Sequence, residues 1–148
     1  MTTTSIAVPH EDQREIAAQG WVVLLGRVFF ALIFIMAAPN NFTKQTIAYA
    51  AAQGVPLASL AVPFSGLMAI AGGLSILLGY RVRVGAWLIV LFLVPATFMM
   101  HNFWAVVDPI MKQIQMIMFL KNVSMTGAAL FISQIGAGPF SLDARRSR

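Results

Sequence analysis

Four apolar runs divide this chain, each close to the ~20 residues that a helix rising ~1.5 Å per residue needs to cross a hydrocarbon core. They extend over about 21–38, 57–79, 84–103 and 110–136. Such runs constrain the fold more than any motif does. Of the 148 residues, 59% are hydrophobic and only 10% are charged. A soluble domain carries roughly 25% charged residues, so this chain could not cover a water-facing surface. The mean hydropathy of +0.80 agrees. No alternating pattern of a membrane barrel is present, and no internal repeat or low-complexity tract. The reading is all-α: an integral membrane four-helix bundle forming one domain over 20–136. A polar lead over 1–19, able to close in a turn of helix, precedes it, and a basic tail over 137–148 follows.

Four crossings put both termini and the tight turn Tyr80-Arg81-Val82-Arg83 on one side. That side holds Arg14, Arg81, Arg83, Arg145, Arg146 and Arg148, against Lys44 and Lys112 on the other. Basic residues mark the inner face, so the N and C termini are expected in the cytoplasm of an inner (plasma) membrane. Arg27 and the apolar run to Ala38 also outline a signal peptide. The lead is acidic as well as basic, however, and the small-residue exit is weak, so a retained first span is expected. Residues 39–57 form a polar-to-small connection. The alanines around Tyr49 could give it a short interfacial helix.

The absence of cysteine removes disulfides, thiol catalysis, cysteine-ligated zinc and iron–sulfur clusters. His10 and His101 are too few for a histidine-rich metal or haem site, and no covalent or metal cofactor is expected. Nine methionines fit adaptable packing better than a metal path, which needs clustered thioethers. The net charge of +5 sits at helix ends and in the tail, where it orients the chain, so nucleic acid is not an expected partner.

Helices in lipid associate through close packing and hydrogen bonds. Ser65, Ala69 and Gly73 recur every four residues and give the second span a small-residue face, with Gly72 and Gly79 beside it. Ser124, Gly127, Ala128 and Ala129 offer the same on the fourth. Pro95 lies inside the third span, where lipid-embedded bundles tolerate a kink.

An ionisable residue at membrane depth is a functional candidate by default. Arg27 lies ~10 Å along its helix from Gly20. It cannot shed its charge and must find a carboxylate, backbone carbonyls, an anion or the headgroup layer. Lys121 lies near the middle of the fourth span, with Asn122 beside it. It could lose its proton or pair with Asn122, a carbonyl or a ligand. His101 marks the outer end of the third span, one turn before Trp104. It could exchange protons or bond a ligand headgroup, or simply sit in the interface. Asp108 could partner His101 or Lys112, or cap the fourth helix ahead of Pro109. The candidate ligand-binding residues are therefore Arg27, His101, Lys121 and Asn122, with no catalytic assignment.

An ordered set of motifs resembles the DoxX family of small bacterial membrane proteins, from about Gly26 to Asp143. It comprises Gly26-Arg27, Gln53-Gly54-Val55-Pro56, Gly72-Gly73-Leu74 with Leu78-Gly79, and Arg81-Val82-Arg83. It continues with His101-Asn102-Phe103-Trp104, Phe119-Leu120-Lys121-Asn122, and Gly136-Ala137-Gly138-Pro139 with Ser141-Leu142-Asp143. The resemblance implies a four-helix membrane fold. It also implies links to thiosulfate–quinone oxidoreduction, through the related DoxD and DoxA proteins, or to oxidative-stress complexes and protein assembly. Two departures stand out. Ala69 occupies a position where members often carry glutamate. Ala37-Ala38-Pro39-Asn40 replaces a glycine and lysine, with Lys44 further along. Without the carboxylate, Arg27 and Lys121 have no obvious acidic partner in the membrane, which favours a ligand bearing carbonyl or anionic oxygens.

Three functions follow as expectations. The first is a redox-associated membrane subunit, quinone- or sulfur-linked, in which Lys121, Asn122 and Arg27 hold the oxygens and His101 stands at the outer rim. Its electrons would come from a partner redox protein or from the quinone itself. The second is a non-enzymatic scaffold or assembly factor that docks partner helices or further copies of the chain. The third, a small transporter or channel, would need an oligomer and has no charge ring or broken-helix pair behind it.

Overall fold

The computed structural model describes the backbone of residues 10–146 and the side chains of residues 18–146. Residues 1–9 of the polar lead, the side chain of Arg14, and Arg148 lie outside the described residues. The elements run α1 (His10–Ala37), a 3-10 turn (Ala38–Phe42), α2 (Lys44–Ala52), α3 (Ala58–Leu78) and α4 (Val82–Met100). A second 3-10 turn (Phe103–Ala105), α5 (Pro109–Ile135) and α6 (Leu142–Arg146) complete the chain. Four segments are long and apolar enough to cross a membrane: Ala18–Phe42, Ala58–Leu78, Val82–Ala105 and Pro109–Ile135. The fold is the expected all-α four-helix membrane bundle. The main difference lies at the start, where helix begins at His10 and runs unbroken into the first span.

The helix ends follow from local chemistry. Asp108 caps α5: its Oδ1 accepts from the Met111 N–H at 2.7 Å, and Pro109 takes the first helical position, where a missing N–H costs nothing. Thr43 caps α2 in the same way, accepting from the Thr46 N–H at 3.2 Å. The short interfacial helix around Tyr49 is present as α2. α3 stops at Gly79, whose φ of +68° suits a residue without Cβ. The Tyr80 N–H then reaches back to the Ser75 carbonyl at 3.0 Å, and the Ser75 hydroxyl donates to the Tyr80 carbonyl at 2.6 Å. This closes the basic turn.

The spans pack in the order α1, α3, α4, α5, each on the next. α3 is central because two adjacent glycines serve two neighbours. A Cβ on Gly72 would lie 2.9 Å from the Gly85 carbonyl of α4, and one on Gly73 would lie 3.0 Å from Ile35 of α1. Successive helical residues point ~100° apart, so the pair opens two close-approach faces rather than one. Ile76, Ile89, Leu93 and Val82 are fully buried at the centre. On the fourth span the small residues divide. Ala129 is buried in the core, whereas Ser124, Gly127 and Ala128 are exposed. Large apolar side chains such as Phe29, Leu60, Phe64 and Phe131 are 62–71% exposed, forming a girdle that only lipid or another apolar surface could solvate.

The two ends of the bundle differ. At one end the start of α1, the turn after α3 and the chain beyond α5 meet, with the Trp21 and Phe140 rings 4.9 Å apart. At the other end α2 lies on the first turns of α3, where Ala50, Ala58 and Val62 cluster with Met100.

Candidate ligand site

The four residues singled out from sequence separate into two groups. Arg27 stands alone at the terminal end. It is 3% exposed, and its guanidinium is engaged by backbone carbonyls. Nε donates to Ile76 at 2.9 Å and Nη2 to Leu77 at 3.0 Å, in the last turn of α3; the Ile76 carbonyl also accepts from the Gly79 N–H at 3.2 Å. Nη1 donates to Phe140 at 3.1 Å and also to Ala137. Four of the five guanidinium donors are thereby used on the protein itself. The same segment is sewn down a second time. The Asp143 N–H donates to the Gly79 carbonyl at 2.9 Å, and its carboxylate accepts from the N–H groups of Arg81 (3.0 Å) and Val82 (3.4 Å), capping α4. Arg27 takes the backbone-carbonyl option among those open to it, and it does not line the cavity described next.

His101, Lys121 and Asn122 come together on a cavity of about 580 Å³. This volume suits a small organic molecule. Ile33, Phe34 and Ala37 of α1 form one wall and Lys121, Asn122 and Met125 of α5 another. Ser65, Met68, Leu91, Phe92 and Met99 lie between them, while Thr46 and Tyr49 of α2 close the end away from Arg27. α1 and α5 flank the opening without packing tightly on each other. The walls are mostly apolar. Pro95 also lines this wall, where it removes one backbone N–H from the hydrogen-bond ladder of α4.

The polar groups on the cavity fall into a satisfied and an unsatisfied set. Ser65 donates to the Val62 carbonyl at 2.7 Å and accepts from Asn41 at 3.3 Å. His101 Nδ1 lies 2.8 Å from Gln115 Oε1. The Asn122 side chain is different. The residue is 7% exposed, its amide has no hydrogen-bond partner among the described residues, and the amide atoms stay accessible rather than sealed in the protein. The Lys121 ammonium has only the Met118 thioether, at 3.3 Å. Lys121 is ~18 Å along α5 from Pro109, near the middle of the span. No carboxylate pairs with it among the described residues. Asp108 and Asp143 are both committed to helix caps, and Ala69, at the position of the family's frequent glutamate, is buried in the core away from the cavity.

Sequence reasoning missed Gln115. Its signal was helical spacing: residues 115, 118 and 122 share one face of α5. The aromatic contacts that fix the turn after α4 also went unread. The Phe103 ring meets Phe119 at 5.5 Å and Trp104 meets it at 5.9 Å, while Phe98 packs on Phe119 at 5.5 Å. These contacts hold the turn that follows His101 against α5.

Four crossing helices, a girdle of exposed apolar side chains and an intramembrane cavity define a small multi-pass membrane protein. The DoxX family model matches residues 22–102, more than half the chain, and this protein belongs to the DoxX family. It is 31% identical over 134 residues to the inner membrane protein YphA of Escherichia coli, covering 87% of this chain and 93% of that one. It is 30% identical over 123 residues to the inner membrane protein YqjF of the same organism, covering 82% and 88%. No solved structure matches it significantly. Family and spans together make it a multi-pass protein of the inner membrane, solvated by the lipid bilayer.

Proposed function

We propose that this protein binds a membrane-partitioned molecule bearing carbonyl or anionic oxygens, of which a quinone is the model, in the cavity between α1 and α5. In this reading it acts as a redox-associated, quinone- or sulfur-linked membrane subunit, with both termini and the Tyr80–Arg83 turn in the cytoplasm. The observation that carries the proposal is Asn122, a residue only 7% exposed whose unpartnered amide remains accessible on an apolar cavity. A polar group shut off from water without a partner costs ~1–3 kcal/mol, so a molecule filling the cavity gains by offering this amide an oxygen. Lys121 supports the same reading, since a mid-membrane ammonium beside a thioether lacks a counter-charge. Carbonyl and anionic oxygens accept from both groups. Arg27 is left out of the ligand set because its donors are spent on the backbone. The chain contains no thiol, so electrons would pass through the ligand or a partner redox protein.

Binding of a decyl-substituted benzoquinone to detergent-purified protein tests this. Wild type should bind at least tenfold more tightly than Asn122→Leu or Lys121→Met, the loss expected for one hydrogen bond to a buried polar or charged group (about 1.5 kcal/mol). Equal binding by all three proteins would remove the proposal.

A second reading, a membrane scaffold, is favoured by one observation. Gly127 has no atom within 4 Å of where its Cβ would stand, and Ser124 and Ala128 are exposed beside it. Small faces of this kind dock helices. The chain lacks cysteine, so oxidation of a Gly127→Cys variant in membranes reads the contact directly. A disulfide-linked dimer supports docking of a second copy, and an uncrosslinked monomer speaks against it.

A further inference from the structure

Gln115 stands two helical turns before Asn122, on the same face of α5 and ~10 Å nearer the outer end. Its Oε1 is 2.8 Å from His101 Nδ1. A carboxamide oxygen can only accept, so a hydrogen bond in this orientation requires the proton on Nδ1. A neutral imidazole has a single N–H, which leaves Nε2 with a lone pair. Nε2 has no hydrogen-bond partner among the described residues, and His101 lines the cavity. The backbone on either side is held independently. The His101 N–H donates to the Thr97 carbonyl at 3.3 Å, and the His101 carbonyl accepts from the Phe103 N–H at 2.9 Å. The rings of Phe103 and Phe119 then clamp the turn. Main chain and Gln115 together orient the imidazole before any ligand arrives.

We propose that Gln115 is a positioning residue that fixes His101 as the Nδ1–H tautomer, so that Nε2 serves as a hydrogen-bond acceptor on the outer rim of the cavity. The chemical consequence for the ligand, which rests on the binding reading above, is selection for a hydroxyl at the rim. Lys121, deeper in the cavity, supplies donors only. A carbonyl or ether oxygen suits that inner end but gains nothing from Nε2. A hydroxyl donates to Nε2. The rim therefore separates the reduced, hydroxyl-bearing form of a redox head group from its oxidised form, without any charge difference between them.

The tautomer is read by nitrogen NMR of ¹⁵N-histidine-labelled protein in micelles. Only His10 and His101 contribute, and His101→Phe assigns them. At about pH 8.5 an ordinary imidazole is neutral, and protonated and unprotonated ring nitrogens differ widely in shift. His101 should show a protonated Nδ1. Gln115→Leu should return it to the Nε2–H form that free imidazole side chains favour, and Gln115→Glu, which keeps an acceptor oxygen, should restore Nδ1–H. An Nε2–H signal in wild type would overturn the proposal. A second arm compares a decyl-substituted hydroquinone with its dimethyl ether. Wild type should prefer the hydroquinone about tenfold, as one hydrogen bond allows, and Gln115→Leu should lose the preference. Equal binding of both probes by wild type overturns the acceptor role. Failure of both probes to bind, with the Nδ1–H signal intact, sinks the ligand reading and supports the assignment of Gln115.

Discussion

Arg27 and Lys121 are both cations inside membrane spans, and the bundle treats them in opposite ways. Arg27 lies among the end of α3 and the chain after α5, where four backbone carbonyls face it. Lys121 faces a cavity and a thioether, and its neighbour Asn122 is buried with its amide free. The contrast separates two reasons for placing costly polarity in a bilayer. A planar guanidinium has a fixed fan of donors and matches several backbone carbonyls gathered at a helix end and the segment beyond it. An amine or amide left without protein partners on an apolar hollow stabilises nothing by itself. Depth does not tell the two cases apart; the inventory of partners does.

The widest gap between the two regions should appear on removing the cations. Arg27→Met strips donors from four carbonyls and unfastens the chain beyond α5. A loss of about 3 kcal/mol or more is expected, read as a fall in the denaturation midpoint in detergent. A variant as stable as wild type would erase the distinction drawn here. Lys121→Met and Asn122→Leu should behave in the reverse sense. Their stability should stay within about 0.5 kcal/mol of wild type, or rise, while quinone binding falls at least tenfold. Asp143→Ala removes the cap on α4 and should cost about 1 kcal/mol, leaving binding unchanged.

The smallest effect belongs to Tyr80, on the turn beside Arg27's end of the bundle. A hydrogen bond from Arg146, and then the charges of Arg81 and Arg146, hold its phenol below the usual value of 10. The folded state thus favours the phenolate, so the contact adds stability only as pH rises toward that value and adds none near neutrality. Arg146→Ala should move the phenol titration, followed by ultraviolet absorbance, back up without altering binding.

Much of this architecture was legible in the chain. The spans, the Asp108-Pro109 helix start, the turn at Tyr80–Arg83 and the small helix around Tyr49 all follow from local rules of hydropathy and capping. What escaped was long-range. Arg27 meets carbonyls 49, 50, 110 and 113 residues away, and no local pattern encodes such pairings. Lys121, Asn122 and His101 stood out as costly residues, but which of them shared a hollow depended on the packing order of the helices. Gly72 and Gly73 read as one sticky face because they are neighbours in sequence, whereas helical rotation hands them to α4 and α1 separately. Gln115 drew no attention because polarity near a helix start is ordinary. Its weight comes only from the imidazole it meets.

The seam around Arg27 also sets an order of events during synthesis. The first of the four spans to be synthesised carries a charge whose acceptors arrive in two instalments, one pair with the end of α3 and one with residues 137 and 140. Until the final segment folds back, that arginine must rely on water, headgroups or helper proteins. The opening helix of this protein is therefore the last to be completed, and a shortened carboxyl end should be felt first at the amino-terminal span.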